Sequence, residues 1–245
     1  MINKETNFVE ALTIQEAWRE VMWLCIKNGY DFVVKGGSYV GQIRKQLPFI
    51  SIKITDPGKR PFGPIMPPGL PPPTTDEKIE KYFLEYLMED SLQENEQYTY
   101  GSYIKPQLPR IIELLLESKG NTNQACIAIG DRDSVNLPDP PCLRVVSFKV
   151  VNKHLDMSVF FRSWDLFVGL PENLGGLQMV KEYVLANLDE LGLTDGELIA
   201  YSDGLHLYEQ YFDLVNILNI DKVKVEADTL KDKEEFAKTL EGKEV

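Results

Sequence analysis

Pro140-Pro141-Cys142, Phe161-Arg162-Ser163-Trp164-Asp165 and Gly169-Leu170-Pro171-Glu172-Asn173 follow one another within about thirty residues of Cys142. They supply a thiol, a guanidinium with a hydroxyl and a carboxylate, and a carboxamide, a set that suits covalent attack on an anionic nucleotide whose base is held by an amide. A cysteine attacks as its thiolate. The two prolines stiffen the approach to Cys142, and Arg144 and Arg162 are nearby cations that would lower its pKa. Arg162-Ser163 offers a charged fork and a hydroxyl to a phosphate monoester. Asn173 donates and accepts at once and so matches the O4 and N3–H edge of uracil, but it fits a helix N-cap before Leu174 equally well. His206 and Tyr208 flank Leu207. On a strand end both would point the same way, towards a sugar hydroxyl; at a helix start they would be partly buried polar aromatics. Singly, each signal has such a structural alternative: a packed cysteine, a surface ion pair, a cap.

These residues need elements to hold them. Ile14, Trp18, Val21, Met22 and Cys25 recur at helical spacing between Thr13, a natural N-cap, and Gly29, a stop. Phe32 to Thr55 carries β-rich pieces broken by Lys35-Gly36-Gly37-Ser38. Pro57 to Pro73 contains eight prolines and must be an extended connector or a lid over a site. Helices are expected over Thr75 to Met88, Leu108 to Ser118, Leu174 to Leu191 and His206 to Leu218. Strands are expected at Ala125 to Ile129, at Leu198 to Tyr201, and as a hairpin of Leu143 to Val151 with Leu155 to Phe161 around Asn152-Lys153-His154. Strands mixed with unequal helices, without regular alternation, indicate α+β.

The 245 residues suffice for one sizeable core, expected as a single domain over 1–220 with a charged tail over 221–245. A net charge of −12 argues against a nucleic-acid surface, which needs a basic stripe. No leader pattern or membrane span is read, so the protein is expected in the cytoplasm. Cys25, Cys126 and Cys142 stand at no metal or disulfide spacing, and Cys25 and Cys126 are expected to be buried and inert.

Taken jointly, the pattern resembles the catalytic half of thymidylate synthases. In that family a cysteine after a proline is followed twenty residues on by R-S-x-D, and eleven later by an asparagine; here Cys142, Arg162 and Asn173 keep both spacings. The family's D-x-F-x-G-x-P-x-N is matched by Asp165, Phe167, Gly169, Pro171 and Asn173, its H-x-Y by His206-Leu207-Tyr208, and its tyrosine-glycine segment by Tyr98-Thr99-Tyr100-Gly101. The chain is similar to the compact archaeal branch.

The resemblance implies a thymidylate synthase-like three-layer α/β/α sandwich with a mixed sheet, dimerising through that sheet. It implies a methyltransferase making dTMP from dUMP, with 5,10-methylene-tetrahydrofolate or methylene-tetrahydromethanopterin as co-substrate and no metal. Cys142 would add to C6 of dUMP, Arg162 and Ser163 hold the phosphate, Asn173 read the base, and His206 with Tyr208 bind the 3′-hydroxyl. Asp165 would face the pterin. Glu80 or Glu85 would organise the water that handles protons, and Trp164 and Tyr100 would shield the intermediate. Apolar strand residues such as Val146, Phe148 and Val150 would need the partner subunit to cover them.

There are departures. The family's partner-reaching twin arginines fall near Thr122-Asn123-Gln124, so phosphate affinity would be weaker or would come from Lys35, Arg60 or Arg132. Leu143 replaces a histidine after the cysteine, Phe161 replaces a glutamine before the R-S pair, and the closing C-terminal segment is unrecognisable. A pyrimidine nucleotide hydroxymethylase on the same scaffold, or a catalytically silent nucleotide-binding regulator, are the alternatives.

Overall fold

A computed structural model describes residues 6–36, 39–92, 94 and 96–219. The charged tail over 221–245 and the Gly37-Ser38 pair lie outside the described residues.

A six-stranded sheet runs in the order β1 (Asn7–Ala11), β4 (Ile50–Ile54), β9 (Thr194–Ser202), β7 (His154–Phe161), β6 (Leu143–Val151), β5 (Cys126–Ala128). Two of its pairings, β1 with β4 and β7 with β9, are parallel, and the rest are antiparallel. Successive side chains on a strand point to opposite faces, and the register turns that rule into a core. Val9, Ile52, Ala200, Val159, Val146 and Ile127 stand side by side across all six strands, and all are buried. One step along, Phe8, Ser51, Tyr201, Phe160, Val145 and Ala128 form the row on the other face and keep at least partial exposure.

Helix α1 (Ile14–Asn28) buries Ile14, Ala17, Trp18, Val21, Met22 and Cys25 along one stripe. Thr13 Oγ1 accepts from Glu16 N at its start, and Gly29 N donates to Cys25 O at its end. A second sheet, ordered β2 (Tyr30–Val33), β3 (Ile43–Gln46), β10 (Leu205–Tyr208), β8 (Trp164–Asp165), also packs against α1, which thereby ties the two sheets together. Helix α2 (Asp76–Tyr82) continues as a π-helical turn over Phe83–Leu87, followed by α3 (Gly101–Glu117), α4 (Gly169–Ala186) and α5 (Phe212–Leu218). The expected α+β class and mixed sheet are what the chain forms. No described helix is long and apolar enough to cross a membrane.

Several elements differ from expectation for identifiable reasons. Helix α4 starts at Gly169, not Leu174, because Pro171 falls in the first turn, where its missing N–H costs nothing, and because Asp165 accepts from Gly169 N at the helix start. Helix α3 starts at Gly101, ahead of Leu108, and runs through Pro106 and Pro109. His206 lies on β10, paired with β3 and β8, so the expected helix shrinks to α5. The 143–151 and 154–161 hairpin forms as expected, with Asn152 and Lys153 at φ 51° and 70° making its tight turn. Cys126 is exposed on edge strand β5, contrary to the expectation of a buried thiol, whereas Cys25 is buried and its pKa is pushed up to about 12 by desolvation. Val146 and Phe148 are 0% exposed within the chain itself, so the apolar patch expected to need a partner lies on the covered face of the sheet.

Candidate active site

One cavity of about 420 Å³ collects Cys142, Arg162, Ser163, Asp165, His206 and Tyr208, together with Phe32, Val34, Lys35, Gly36, Tyr39, Arg44 and Asp139. Strand pairing explains the gathering. β10 lies between β8 and β3, so His206 stands beside Asp165 on one side and Gln46 on the other, with Tyr208 opposite Arg44. Cys142 arrives just before β6, where Arg162 N donates to Cys142 O at 2.9 Å.

Arg162 clamps the cysteine loop. Its Nε donates to Pro141 O at 3.1 Å, a terminal nitrogen donates to Pro140 O, and the same nitrogen lies 3.5 Å from Asp139 Oδ1. Burial raises the Cys142 pKa; the cations Arg162 and Arg44 pull it down, and the Asp139 carboxylate opposes them. Arg144 is not among these influences. Its guanidinium packs against Gly130, where an added Cβ would stand 3.0 Å from Nη1.

Asp165 holds the backbone that leads into α4, whose N-cap residue is Val168. Its Oδ1 accepts from Phe167 N at 3.2 Å, and its Oδ2 from Val168 N at 3.3 Å and Gly169 N at 3.1 Å. Desolvation nevertheless raises its pKa, with those three amides opposing the rise. His206 is buried, its Nδ1 lies 2.9 Å from Gly204 O, and burial lowers its pKa from 6.5 to about 4. A carbonyl only accepts, so Nδ1 carries the proton and Nε2 of the neutral ring is an acceptor. Tyr208 packs edge-on against His206 and at 5.1 Å from Tyr39.

Asn173 is not in the cavity lining. It sits in the second turn of α4, which removes the N-cap alternative, and its carboxamide is bonded at both ends. Oδ1 accepts from Trp164 Nε1 at 3.0 Å, and Nδ2 donates to Tyr82 Oη at 3.0 Å. A Cβ on Gly169 would stand 3.2 Å from Asp165 Cβ, 3.5 Å from Asn173 Oδ1 and 3.7 Å from Asp165 Oδ2, so it would fill the space between amide and carboxylate and press on Asp165.

Neither glutamate singled out in the sequence reaches the Cys142 cavity. Glu80 is exposed, and Glu85 is two-thirds exposed beside Lys81, lining a neighbouring cavity of about 350 Å³ with Lys78, Tyr82, Tyr86, Glu96 and Glu172. Around that second cavity a run of tyrosine rings, Tyr82, Tyr86, Tyr100 and Tyr98, packs with centroids 5.3 to 6.1 Å apart, and Tyr100 Oη accepts from Leu143 N beside Cys142.

Of the cations considered for the phosphate, Lys35 lines the cavity. Arg60 instead pairs bidentately with Glu182, and Arg132 is exposed beside Asp133. Arg44 was not foreseen. Its guanidinium lies over the Phe32 ring at 4.6 Å, and its buried Nε has no hydrogen-bond partner among the described residues. A lone Arg in β3 carries no motif; only the β3–β10 pairing brings it to the cavity. The proline-rich segment after Pro57 is a connector: it is held by Gln15 and Arg19 of α1 and by Glu182 of α4, away from the Cys142 cavity. Among the described residues no group of three His, Cys, Asp or Glu is placed to hold a metal ion.

Known proteins share both sequence and fold with this chain. A protein of Methanosarcina barkeri bearing the name "Putative thymidylate synthase" is 24% identical over 217 residues, covering 85% of this chain and 93% of its own. Its namesake from Methanothermobacter marburgensis is 28% identical over 141 residues, covering 56% of this chain and 61% of its own. In fold, the chain is similar to the thermostable thymidylate synthase A of Bacillus subtilis, with a TM-score of 0.61 at 14% identity, over 84% of this chain and 83% of that one. The model of the thymidylate synthase family matches residues 106–240, more than half of the chain and the part that carries Cys142, Arg162, Asn173 and His206, so the chain belongs to the thymidylate synthase family.

Proposed function

We propose that this protein is a thymidylate synthase that converts dUMP to dTMP with a methylene-tetrahydropterin as one-carbon donor, working as a homodimer. One observation carries the reading: a thiol, three cations, a neutral histidine and a tyrosine hydroxyl face one cavity. Cys142 Sγ attacks C6 of the pyrimidine. Burial raises the pKa of this thiol while Arg162 and Arg44 lower it; it adds to C6 as the thiolate, after giving its proton to water. Lys35, Arg44, Arg162 and Ser163 take the phosphate. The orphan Nε of Arg44 is a buried donor awaiting an acceptor, and an anion satisfies it. This intrachain pair, Lys35 and Arg44, stands in for the arginines that the chain lacks around Thr122. Nε2 of His206 accepts from the 3′-hydroxyl, with Tyr208 beside it.

Asn173 reads the uracil edge through the amide hydrogen and lone pair that Tyr82 and Trp164 leave free. The flat faces of Tyr82 and Tyr86 suit a pterin in the second cavity, where Glu172 and Glu96 join Glu85 as nearby carboxylates. Asp165 serves the pterin only indirectly, through the backbone it holds at the start of α4. The homodimer would form on the open sheet face around Phe8, Phe160 and Tyr201, which includes a Phe8 that is 57% exposed.

The test is 5-fluoro-dUMP with methylene-tetrahydrofolate or methylene-tetrahydromethanopterin, followed by mass spectrometry. A covalent ternary adduct on Cys142, absent in Cys142→Ser, supports the reading. An adduct on Cys25 or Cys126 refutes the site. A main product from dUMP heavier than dTMP by one oxygen would make the protein a hydroxymethylase.

A further inference from the structure

The contact between Trp164 and Asn173 constrains the amide as well as holding it. An indole nitrogen only donates. With Trp164 Nε1 3.0 Å from the amide, the oxygen must face it, because a flipped carboxamide would set N–H against N–H. Trp164 has no room to turn away. It is 2% exposed and stacked on Phe161, with ring centroids 4.3 Å apart and planes inclined by 4°. Tyr82 Oη imposes no such orientation by itself, since a hydroxyl can accept from Nδ2 or donate to Oδ1.

We propose that Trp164 is a positioning residue that locks the Asn173 carboxamide in one orientation and so selects uracil over cytosine. The proposal rests on the dUMP reading given above. Along its edge uracil offers an acceptor, O4, next to a donor, N3–H; cytosine offers a donor, the 4-amino group, next to an acceptor, N3. The two orders are mirror images of each other, and an amide serves either by turning half a revolution about its last torsion. Phosphate contacts at one end and the bond from Cys142 to C6 at the other set the direction of the base. Which nucleotide fits then depends on which way the amide faces. Phe161 belongs to the same device: its ring supplies the surface on which the indole is held. Specificity is a difference between two affinities, and here the rejected nucleotide meets donor against donor and acceptor against acceptor.

The experiment measures dissociation constants of dUMP and dCMP by calorimetry for the full-length protein, for Trp164→Phe, for a variant with benzothienylalanine at position 164, and for Tyr82→Phe. Benzothienylalanine keeps the bicyclic shape and replaces N–H by sulfur, so it tests the lock even where the smaller Phe disturbs folding. The unmodified protein should prefer dUMP. Loss of the N–H at position 164 should lower the dUMP-to-dCMP preference roughly tenfold, whereas Tyr82→Phe should leave it within about twofold because Trp164 still holds Oδ1. Equal losses for both nucleotides at position 164, or an unchanged preference, would overturn the lock and leave the thymidylate synthase reading standing. Binding of neither nucleotide by the unmodified protein would overturn that reading and the lock with it.

Discussion

Acidification should reveal His206 through stability. The ring is 4% exposed, and burial lowers its pKa from 6.5 to about 4, the Arg44 charge acting in the same direction and the Gly204 carbonyl opposing. As pH falls, the unfolded chain takes up the proton first. The neutral ring therefore contributes stability that is intact above 6.5, declines as pH falls, and is gone below about 4. At about 1.36 kcal/mol per pH unit, that gap amounts to about 3 kcal/mol. Asp165, on the neighbouring strand, changes in the opposite sense, because a raised carboxyl pKa makes its burial less costly once it is protonated. Comparing the wild type with His206→Gln removes this background. Urea unfolding of both proteins at intervals from about pH 7.5 to about pH 4 should show the wild type losing about 3 kcal/mol more than the variant. Parallel curves would mean that His206 is not held neutral by burial, and the assignment of Nε2 as an acceptor for a sugar hydroxyl would fall with it.

Other outcomes follow from the same geometry. Arg44→Gln should weaken dUMP roughly tenfold or more while leaving deoxyuridine nearly unchanged, since a charge-assisted bond to phosphate is worth about 1.5–3 kcal/mol; equal losses for both ligands would make Arg44 a packing residue. Asp165→Ala should lower the unfolding free energy by about 1–2 kcal/mol through loss of its hydrogen bonds to the amides that lead into α4, and unchanged stability would contradict that role. Gly169→Ala should alter stability by less than about 1 kcal/mol yet impair nucleotide binding by closing the gap between Asn173 and Asp165, so unimpaired affinity would show that the gap is not used. Replacing Phe8 and Tyr201 with charged residues should convert a dimer to monomer by sedimentation, and a wild type already monomeric at micromolar concentration would refute assembly through the open sheet face.

How far the sequence could be read depended on whether a feature is local. The stripe in α1 and the turn after Val151 lie in short windows and form as expected, and the Pro-Cys to R-S-x-D spacing brings Cys142 and Arg162 to one cavity. Strand β3 was missed because Ile43-Arg44-Lys45-Gln46 lacks alternation, being a polar strand supported by partners far along the chain. The start of α4 was placed too late because a carboxylate that holds the helix start, as Asp165 does, looks in sequence like one free for a ligand.

By itself, the sequence determined which chemical groups stand at which spacings, because residue types and their separations along Cys142, Arg162 and Asn173 are properties of the chain. Only the tertiary structure decided what those groups are free to do. Pairing of β10 with β3 brought Arg44 beside Tyr208, Pro140 and Pro141 occupied the Arg162 guanidinium, and desolvation made His206 neutral. Hydrogen bonds between residues far apart in sequence, such as Asn173 to Tyr82, decide which donors and acceptors remain for a ligand, and no local pattern encodes them.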